Sequence, residues 1–135
     1  MGDQGTMQDP EPNGTETVLV VEDSKPVANV VRRMLEQHGY KVITASSAGT
    51  ALRLAATLEP PVDLLLTDVV MPDMSGRELV EKFAAFQPKV RILYMSGFTD
   101  DAVIRQGVLR TTMPFLQKPF TPWELAIRVR QVLDA

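Results

Sequence analysis

The sequence contains no cysteine and only one histidine, His38. The lack of cysteine excludes disulfides and thiolate metal sites, and it favours a reducing, cytoplasmic location. With a single histidine, neither a zinc site nor a histidine-based nucleophilic triad is expected. Glycine patterns that cradle phosphates, of the form GxGxxG or GxxxxGKS/T, are also missing, which argues against a flavin- or nucleotide-binding module.

Long apolar runs are missing as well. No stretch approaches the roughly 20 residues that a membrane-spanning helix needs, and the N-terminus lacks a basic-then-apolar signal pattern. The net charge is −3, and residues 1–16 contribute −4 through Asp3, Asp9, Glu11 and Glu16 without any basic residue. Subtracting that contribution leaves +1 on the rest, which argues against strong attraction to nucleic acid. These features predict a soluble cytoplasmic domain with no nucleic-acid partner and no membrane contact.

The length of 135 residues suits one domain. Residues 1–16 are rich in Gly, Pro and Asp without apolar periodicity, and they predict a disordered tail or linker. Over residues 17–134, short apolar runs alternate with amphipathic segments. That alternation predicts five βα units, and hence a flavodoxin-like, doubly wound α/β domain with a parallel five-stranded sheet in the order 2-1-3-4-5.

Apolar spacing and capping residues locate the predicted helices. The first helix has an apolar stripe that includes Val30. The third begins at a capping box formed by Ser75 and Glu78, and its buried stripe includes Phe86.

Two further helices are predicted in the last third of the chain. A short fourth helix covers about 99–107, where Gly107 ends it. The fifth begins with Thr121, Pro122 and Glu124, which are an N-cap, a first-turn proline and a reciprocal acid in the expected order.

Chemically reactive side chains stand where four predicted strands end. Glu22 and Asp23 close the stretch TVLVVED, Asp68 closes VDLLLTD, Ser96 follows VRILYM, and Lys118 closes PFLQK. Because the carboxyl ends of parallel strands meet at one edge of a sheet, these groups are expected in a single cleft. Each residue alone is a weak indication, since such residues are common in caps and turns. Their order, strand by strand, is specific.

Three neighbouring carboxylates repel one another, and a hard divalent cation relieves that repulsion. Asp23 and Asp68 are the expected direct ligands of Mg²⁺, with Glu22 acting through a water molecule. The backbone carbonyl of Val70, in the loop after the third strand, is a further expected ligand.

Asp68 is also the expected nucleophile, because a carboxylate that attacks phosphorus forms an acyl phosphate. Lys118 would pair with one phosphate oxygen, and Ser96 would donate a hydrogen bond to another. A phosphatase that works through the same intermediate would need a general acid two residues after the nucleophile. The sequence has Val70 there, which argues against turnover.

The motifs VLVVED, LLLTDVVMPDMSG, ILYMSG and FLQKPF, in that order, resemble the receiver domain of two-component response regulators over about residues 17–134. The resemblance implies that Asp68 accepts a phosphoryl group from a histidine kinase or a phosphotransfer protein. It also implies that Glu22 and Asp23 hold Mg²⁺ and that Lys118 binds the phosphoryl group.

The resemblance further implies a conformational switch. Ser96 takes the place of the switch hydroxyl, and Phe115 takes the place of the switch aromatic residue. Phe115 lacks the phenolic hydroxyl that many relatives have, so the switch is expected to work through packing. The Lys118–Pro119 peptide bond is expected to be cis, as it often is in this family.

The stretches GTETVLVVED and FLQKPFTPWEL also resemble, more weakly, the receiver domains that are fused behind hybrid sensor histidine kinases. Phosphorylation is expected to repack the surface formed by the fourth helix, the fifth strand and the fifth helix, which could also support a homodimer. The chain is then not an enzyme beyond its own phosphorylation and dephosphorylation. The alternatives are an aspartyl-phosphate phosphatase and a degenerate receiver that acts as a scaffold.

Overall fold

A computed structural model describes residues 13–97 and 114–135. Its helices and strands alternate along the chain in this order: β1 (Thr17–Val21), α1 (Lys25–Glu36), β2 (Lys41–Ala45), α2 (Ala48–Thr57), β3 (Leu64–Asp68), α3 (Gly76–Phe86), β4 (Arg91–Ser96), β5 (Phe115–Gln117) and α4 (Pro122–Asp134). The helix predicted at about 99–107 lies outside the described residues. The predicted fifth helix is therefore α4 in this numbering.

The strands form one parallel sheet in the order β2-β1-β3-β4-β5, which confirms the predicted topology. Leu66 of β3 is paired with Leu93 of β4, and Tyr94 of β4 with Phe115 of β5. The direction of strand addition reverses between β1 and β3. A crevice opens at the carboxyl ends of the strands where such a reversal occurs, and ligands of doubly wound sheets bind there.

A separate hydrophobic core covers each face of the sheet. The apolar side chains of β1 and β3 alternate between the two cores, which accounts for the unbroken apolar runs at residues 18–21 and 64–66 in these central strands. Val18, Val20, Leu64 and Leu66 pack towards α1 and α4, and all four are completely buried. Leu19, Val21 and Leu65 pack towards α2 and α3 and are equally buried. The central strands, which carry the acidic residues, are thereby held firmly in place.

The predicted N-cap residues are found at the helix starts, but of the capping box predicted for α3 only the half made by the Ser75 side chain is formed. The Ser75 hydroxyl accepts a hydrogen bond of 3.1 Å from the Glu78 amide at the start of α3, while the Glu78 carboxylate lies 3.2 Å from Lys82 Nζ. A complete capping box joins Thr121 and Glu124 at the start of α4.

One side chain that was predicted to be buried is exposed, and so is one member of the predicted apolar stripe of α1. Val30 of α1 is 51% exposed and Phe86, the last residue of α3, is 55% exposed, so the prediction of burial is wrong for Phe86 and the apolar stripe of α1 extends beyond the buried face. Both residues border shallow apolar grooves. The groove beside Phe86 lies between α2 and α3, and that beside Val30 lies between α1 and Pro119.

At the amino ends of the strands, charged and polar side chains form a group that we call the Arg130 cluster: Glu16, Tyr40, Arg130 and Asp134. Arg130 Nη2 lies 2.7 Å from Glu16 Oε2 and 2.7 Å from Asp134 Oδ1. Arg130 Nη1 donates to the Tyr40 hydroxyl at 3.3 Å. The cluster ties α4 to the residues that precede β1 and β2.

Contacts with the domain begin before residue 17. The Gly14 amide donates to the His38 carbonyl at 3.0 Å, and Arg130 Nη1 donates to the Asn13 carbonyl at 3.2 Å. The rest of the predicted tail, residues 1–12, lies outside the described residues. None of the helices in the described part of the chain is both long and apolar enough to cross a membrane.

Candidate functional site

The predicted reactive residues lie together at the carboxyl edge of the sheet. Asp68 and Ser96 are the last residues of β3 and β4. Glu22 and Asp23 directly follow β1, and Lys118 directly follows β5. The structure therefore brings all five of these side chains to one edge, as the parallel topology requires.

A small cavity of about 130 Å³ opens between these strand ends. Its lining consists of Asp23, Asp68, Val69, Val70, Met95, Ser96, Gly97 and Lys118. Glu22 is not among the lining residues; it is only 2% exposed, and its Oε1 contacts Lys118 Nζ. The charged and polar side chains of the lining are therefore two carboxylates, an amine and a hydroxyl.

Lys118 connects the two buried carboxylates. Its Nζ lies 2.7 Å from Asp68 Oδ1 and 2.5 Å from Glu22 Oε1. The backbone amide of Lys118 donates to the Ser96 carbonyl at 2.8 Å, so the residue is anchored to β4 as well. The Lys118–Pro119 peptide bond is cis, as predicted. The lysine amine is thus held directly beside the Asp68 carboxylate.

Local backbone contacts fix the Glu22 carboxylate. Its Oε2 accepts a hydrogen bond of 3.0 Å from the Ser24 amide. Ser24 is also the N-cap of α1, and its side chain accepts from the Val27 amide. One short turn therefore orients the acidic residue and starts the helix that packs beside it.

The backbone around Asp68 is held by a close approach that the sequence pattern did not reveal. The Gly76 amide donates to the Val69 carbonyl at 2.7 Å. A Cβ at Gly76 would lie 2.2 Å from the Asp68 carbonyl oxygen, so any side chain there would push the β3 end out of position. The start of α3 can pack against the end of β3 only because residue 76 is glycine.

The three acidic residues can contribute to one cation site. One carboxylate oxygen from each of Glu22, Asp23 and Asp68 lies within 4.8 Å of the other two. Asp23 is exposed, whereas Glu22 and Asp68 are buried. Carboxylate oxygens are hard ligands of the kind that Mg²⁺ prefers. Because Asp23 faces solvent, a bound Mg²⁺ could also keep the several water ligands that it usually retains. Val70, the residue predicted to supply a backbone ligand, lines the same cavity.

The electrostatic balance of the site is unusual. Burial and, after it, the hydrogen bond with Glu22 raise the pKa of Asp68 to about 7, although Lys118 opposes both effects. Burial would also raise the pKa of Glu22, but hydrogen bonds from Asp68, Lys118 and the Ser24 amide hold that pKa below its ordinary value. Burial lowers the pKa of Lys118, and the two carboxylates more than compensate, so it is raised. Without a bound cation, a proton on Asp68 relieves the repulsion between the carboxylates.

The two predicted switch residues lie near one another on neighbouring strands. Ser96 is 3% exposed and lines the cavity. Phe115 is partly buried at the start of β5 and packs against Val69 and Tyr94. In the β4–β5 register, Tyr94 is paired with Phe115 and Ser96 with Gln117. Since side chains two residues apart on a strand share a face, Ser96 and Phe115 lie on the same side of the sheet.

A family model, described as response regulator receiver domain, matches residues 18–130. Sensor kinase CckA of Brucella abortus is 35% identical over 122 residues, which cover 90% of this chain and 13% of that protein. The DNA-binding transcriptional regulator NtrC of Azospirillum brasilense is 32% identical over 119 residues, which cover 88% of this chain and 24% of that protein. The chain thus spans only a minor part of the length of these curated relatives.

Solved structures give the same likeness. The receiver domain from hybrid histidine kinase CckA superposes with a TM-score of 0.73 at 32% identity, over 87% of this chain and 98% of that one. The chemotaxis protein CheY4 of Vibrio cholerae superposes with a TM-score of 0.75 at 28% identity, over 88% of this chain and 99% of that one.

Proposed function

This chain belongs to the response regulator receiver domain family, and from that membership we propose that it is a phosphorylation switch with Asp68 as the phosphoacceptor. The observation that carries the proposal is the distance of 2.7 Å between Lys118 Nζ and Asp68 Oδ1, at the wall of a cavity that suits a phosphoryl group. A carboxylate with a cation at its side can attack phosphorus and keep the product neutralised.

The chemical step transfers a phosphoryl group from a phosphohistidine to Asp68. An Asp68 carboxylate oxygen forms a bond to phosphorus while the bond from phosphorus to the histidine nitrogen breaks, and the nitrogen keeps the electron pair. Lys118 pairs with the incoming phosphoryl oxygens, and Ser96 donates a hydrogen bond to one of them. Asp68 must be ionised to react, and its pKa of about 7 makes that ionisation sensitive to a nearby cation.

Mg²⁺ fits the donor set of this cleft. In the proposed site, Asp23 and Asp68 would be direct ligands, Glu22 would act through a water molecule, and the Val70 backbone carbonyl would add another oxygen. When bound, the cation neutralises the charge that gathers on the phosphoryl oxygens. The cluster within 4.8 Å and the raised pKa of Asp68 support this assignment, because both report carboxylates that lack enough positive charge.

The phosphodonor is proposed to be a histidine kinase or a phosphotransfer protein. A groove of about 300 Å³ lies between α1 and the turn after β5, and its lining includes Val30, Pro119 and Lys118. Lys118 lines the phosphoacceptor cavity as well, so the groove and the cavity adjoin. The exposed Val30 offers an apolar contact for a helix that presents the phosphohistidine.

The response to phosphorylation is proposed to pass through Ser96 and Phe115. The Ser96 hydroxyl would move towards the phosphoryl group, and Phe115 would follow into the space that it leaves. This change would repack β5 and α4 together with the helix predicted at about 99–107. The repacked face is the proposed contact with an output partner or with a second copy of the chain. Within a longer parent protein, the chain could serve as the receiver segment of a hybrid histidine kinase.

Turnover as a phosphatase is less well supported. Val70, two residues after Asp68, lines the cavity and is 45% exposed, but its side chain has no proton to donate. A purely scaffolding role is also less well supported, because all three acidic residues and Lys118 are present at the site. The receiver assignment therefore describes a signalling switch and not an enzyme with an external substrate.

The proposal is tested by incubating the protein with Mg²⁺ and a small phosphodonor and measuring its intact mass. We expect the wild type to gain one phosphoryl group, and Asp68→Asn to gain none. Asp73→Asn is the matched control. Asp73 lies in the loop between β3 and α3, where its carboxylate accepts a hydrogen bond from the Gly49 amide. That variant should be phosphorylated like the wild type. A gain that survives in Asp68→Asn would contradict the assigned acceptor, and steady phosphate release from varied monoesters would favour the phosphatase.

A further inference from the structure

The hydroxyl of Tyr94 is buried and has no hydrogen-bond partner among the described residues. Tyr94 lies in β4 and is 0% exposed. Within residues 13–97 and 114–135, its Oη is the one buried side-chain nitrogen or oxygen atom that makes no hydrogen bond. Burial raises the pKa of Tyr94 to about 12, so the phenol is neutral and retains its proton at ordinary pH. A buried hydroxyl in that condition destabilises the arrangement that contains it.

The position of Tyr94 connects it to the proposed switch. Tyr94 is paired with Phe115 across the β4–β5 ladder and with Thr67, the neighbour of Asp68, across the β3–β4 ladder. Its ring packs against Val69, directly after Asp68, and against Phe115. Ser96 is two residues further along the same strand and therefore on the same face. Tyr94 thus contacts Phe115, which is proposed to move, and Val69, which directly follows the proposed phosphoacceptor.

A phenolic hydroxyl is present here on β4, one strand away from the switch aromatic position in β5. Phe115 has no hydroxyl, but its cross-strand neighbour Tyr94 has one. Any rearrangement of Phe115 changes the packing around the Tyr94 ring, because the two side chains share one small apolar cluster. A rearrangement that admits a water molecule or a polar group to Tyr94 Oη would remove the unfavourable burial.

We propose that the buried Tyr94 hydroxyl biases the switch towards its phosphorylated arrangement by destabilising the unphosphorylated one. This inference rests on the proposed function and concerns the regulation of the same site. A bias of this kind requires that the hydroxyl interacts differently in the two arrangements, since only a difference between states can shift their populations. The hydroxyl then contributes to the affinity of the protein for a phosphoryl group without touching it.

The test compares Tyr94→Phe with the wild type in thermal unfolding and in binding of beryllofluoride, a phosphoryl analogue, with Mg²⁺. In the absence of the analogue, we expect the variant to melt about 2–4 °C higher, because the unpartnered hydroxyl is gone. Its affinity for beryllofluoride should be about five- to tenfold weaker than that of the wild type, since the bias is gone too.

Tyr40→Phe is the matched control, because Tyr40 is the only other tyrosine in the chain and its hydroxyl has a partner in Arg130. That variant should melt slightly lower and bind beryllofluoride with unchanged affinity. If Tyr94→Phe melts lower than the wild type, the hydroxyl is satisfied and the inference is overturned. If it binds beryllofluoride as tightly as the wild type does, the hydroxyl has no part in the switch and the inference is also overturned. Failure of the wild type itself to bind would instead overturn the proposed function, and this inference with it.

Discussion

The two ends of the sheet arrange charged groups in opposite ways. At the amino edge, Arg130 lies 2.7 Å from the carboxylates of both Glu16 and Asp134, and it holds the pKa of each below its ordinary value. At the carboxyl edge, Lys118 also contacts two carboxylates, but one of them, Asp68, has its pKa raised to about 7. One basic residue between two carboxylates therefore balances their negative charge at the amino edge but not at the carboxyl edge.

Burial and the number of acids account for the difference. The Glu16 side chain is 29% exposed and that of Asp134 is 61% exposed, so water solvates both carboxylates. The Asp68 side chain is 7% exposed and that of Glu22 is 2% exposed, and the nearby Asp23 adds a third acid. A low-dielectric environment with excess negative charge attracts a cation or a proton. The amino edge is therefore suited to stability and the carboxyl edge to ligand chemistry.

The largest effect should come from replacing the basic side chain at each edge, first Lys118 and then Arg130, by methionine. Lys118→Met should slow phosphorylation by a small phosphodonor by about 10²- to 10³-fold, because it removes the charge that stabilises the transferring phosphoryl group. Arg130→Met should leave that rate within about twofold of the wild type, because the Arg130 cluster lies at the far end of the strands. The rate of mass gain with Mg²⁺ measures both effects. Equal losses in the two variants would mean that the two edges do not divide their roles as described.

The second effect is on the pH dependence of stability without metal. The folded protein keeps a proton on Asp68 up to about pH 7, whereas the unfolded chain releases it near pH 4. The folded state thus binds more protons between these values, and the free energy of unfolding should fall as pH rises through this window. Asp68→Asn, which stays neutral, should be more stable than the wild type at pH 8 by on the order of 2–4 kcal/mol and nearly equal at pH 4.

Denaturant unfolding at several pH values measures this difference, and the Arg130 cluster provides the contrast. The pKa of Glu16 is lowered, chiefly by its hydrogen bond with Arg130. Glu16 therefore stabilises the folded state at pH values above its ordinary pKa, and this stabilisation is lost as the pH falls below that value. Glu22, whose pKa is also lowered, contributes in the same acidic range and outside the window of Asp68. Addition of Mg²⁺ should reduce the advantage of Asp68→Asn at pH 8. An advantage that does not vary with pH would refute the raised pKa.

The smallest effect is the loss of stability in Arg130→Met. We expect the free energy of unfolding to fall by about 1 kcal/mol, because a partly exposed ion pair contributes little beyond its hydrogen bonds. Arg128→Met is the matched control, as Arg128 is exposed on the same helix, and it should change stability by less than about 0.5 kcal/mol. Chemical unfolding at pH 7 separates the two. An effect of Arg130→Met no larger than that of Arg128→Met would show that the amino edge is not stabilised by this cluster.

Much of the fold was predictable because its determinants are local. Apolar runs such as the one in β3, followed by a reactive residue, predicted both a buried strand and the location of Asp68. The burial of Phe86 was predicted wrongly, since helical periodicity identifies the apolar face of a helix but not how far its neighbours cover that face. Phe86 lies at the last turn of α3, where α2 leaves an open groove. Val30 is exposed for the same reason.

The placement of reactive groups at strand ends was determined by the sequence itself, because strand length and direction carry Glu22, Asp68, Ser96 and Lys118 to one edge of any parallel sheet of this order. Only the tertiary structure decided how these groups share charge. Lys118 meets Glu22 across 96 residues of chain, and the Tyr94 hydroxyl lacks a partner among the described residues. Such contacts depend on distances through space and on the exclusion of water, which are properties of the packed molecule and not of any one segment.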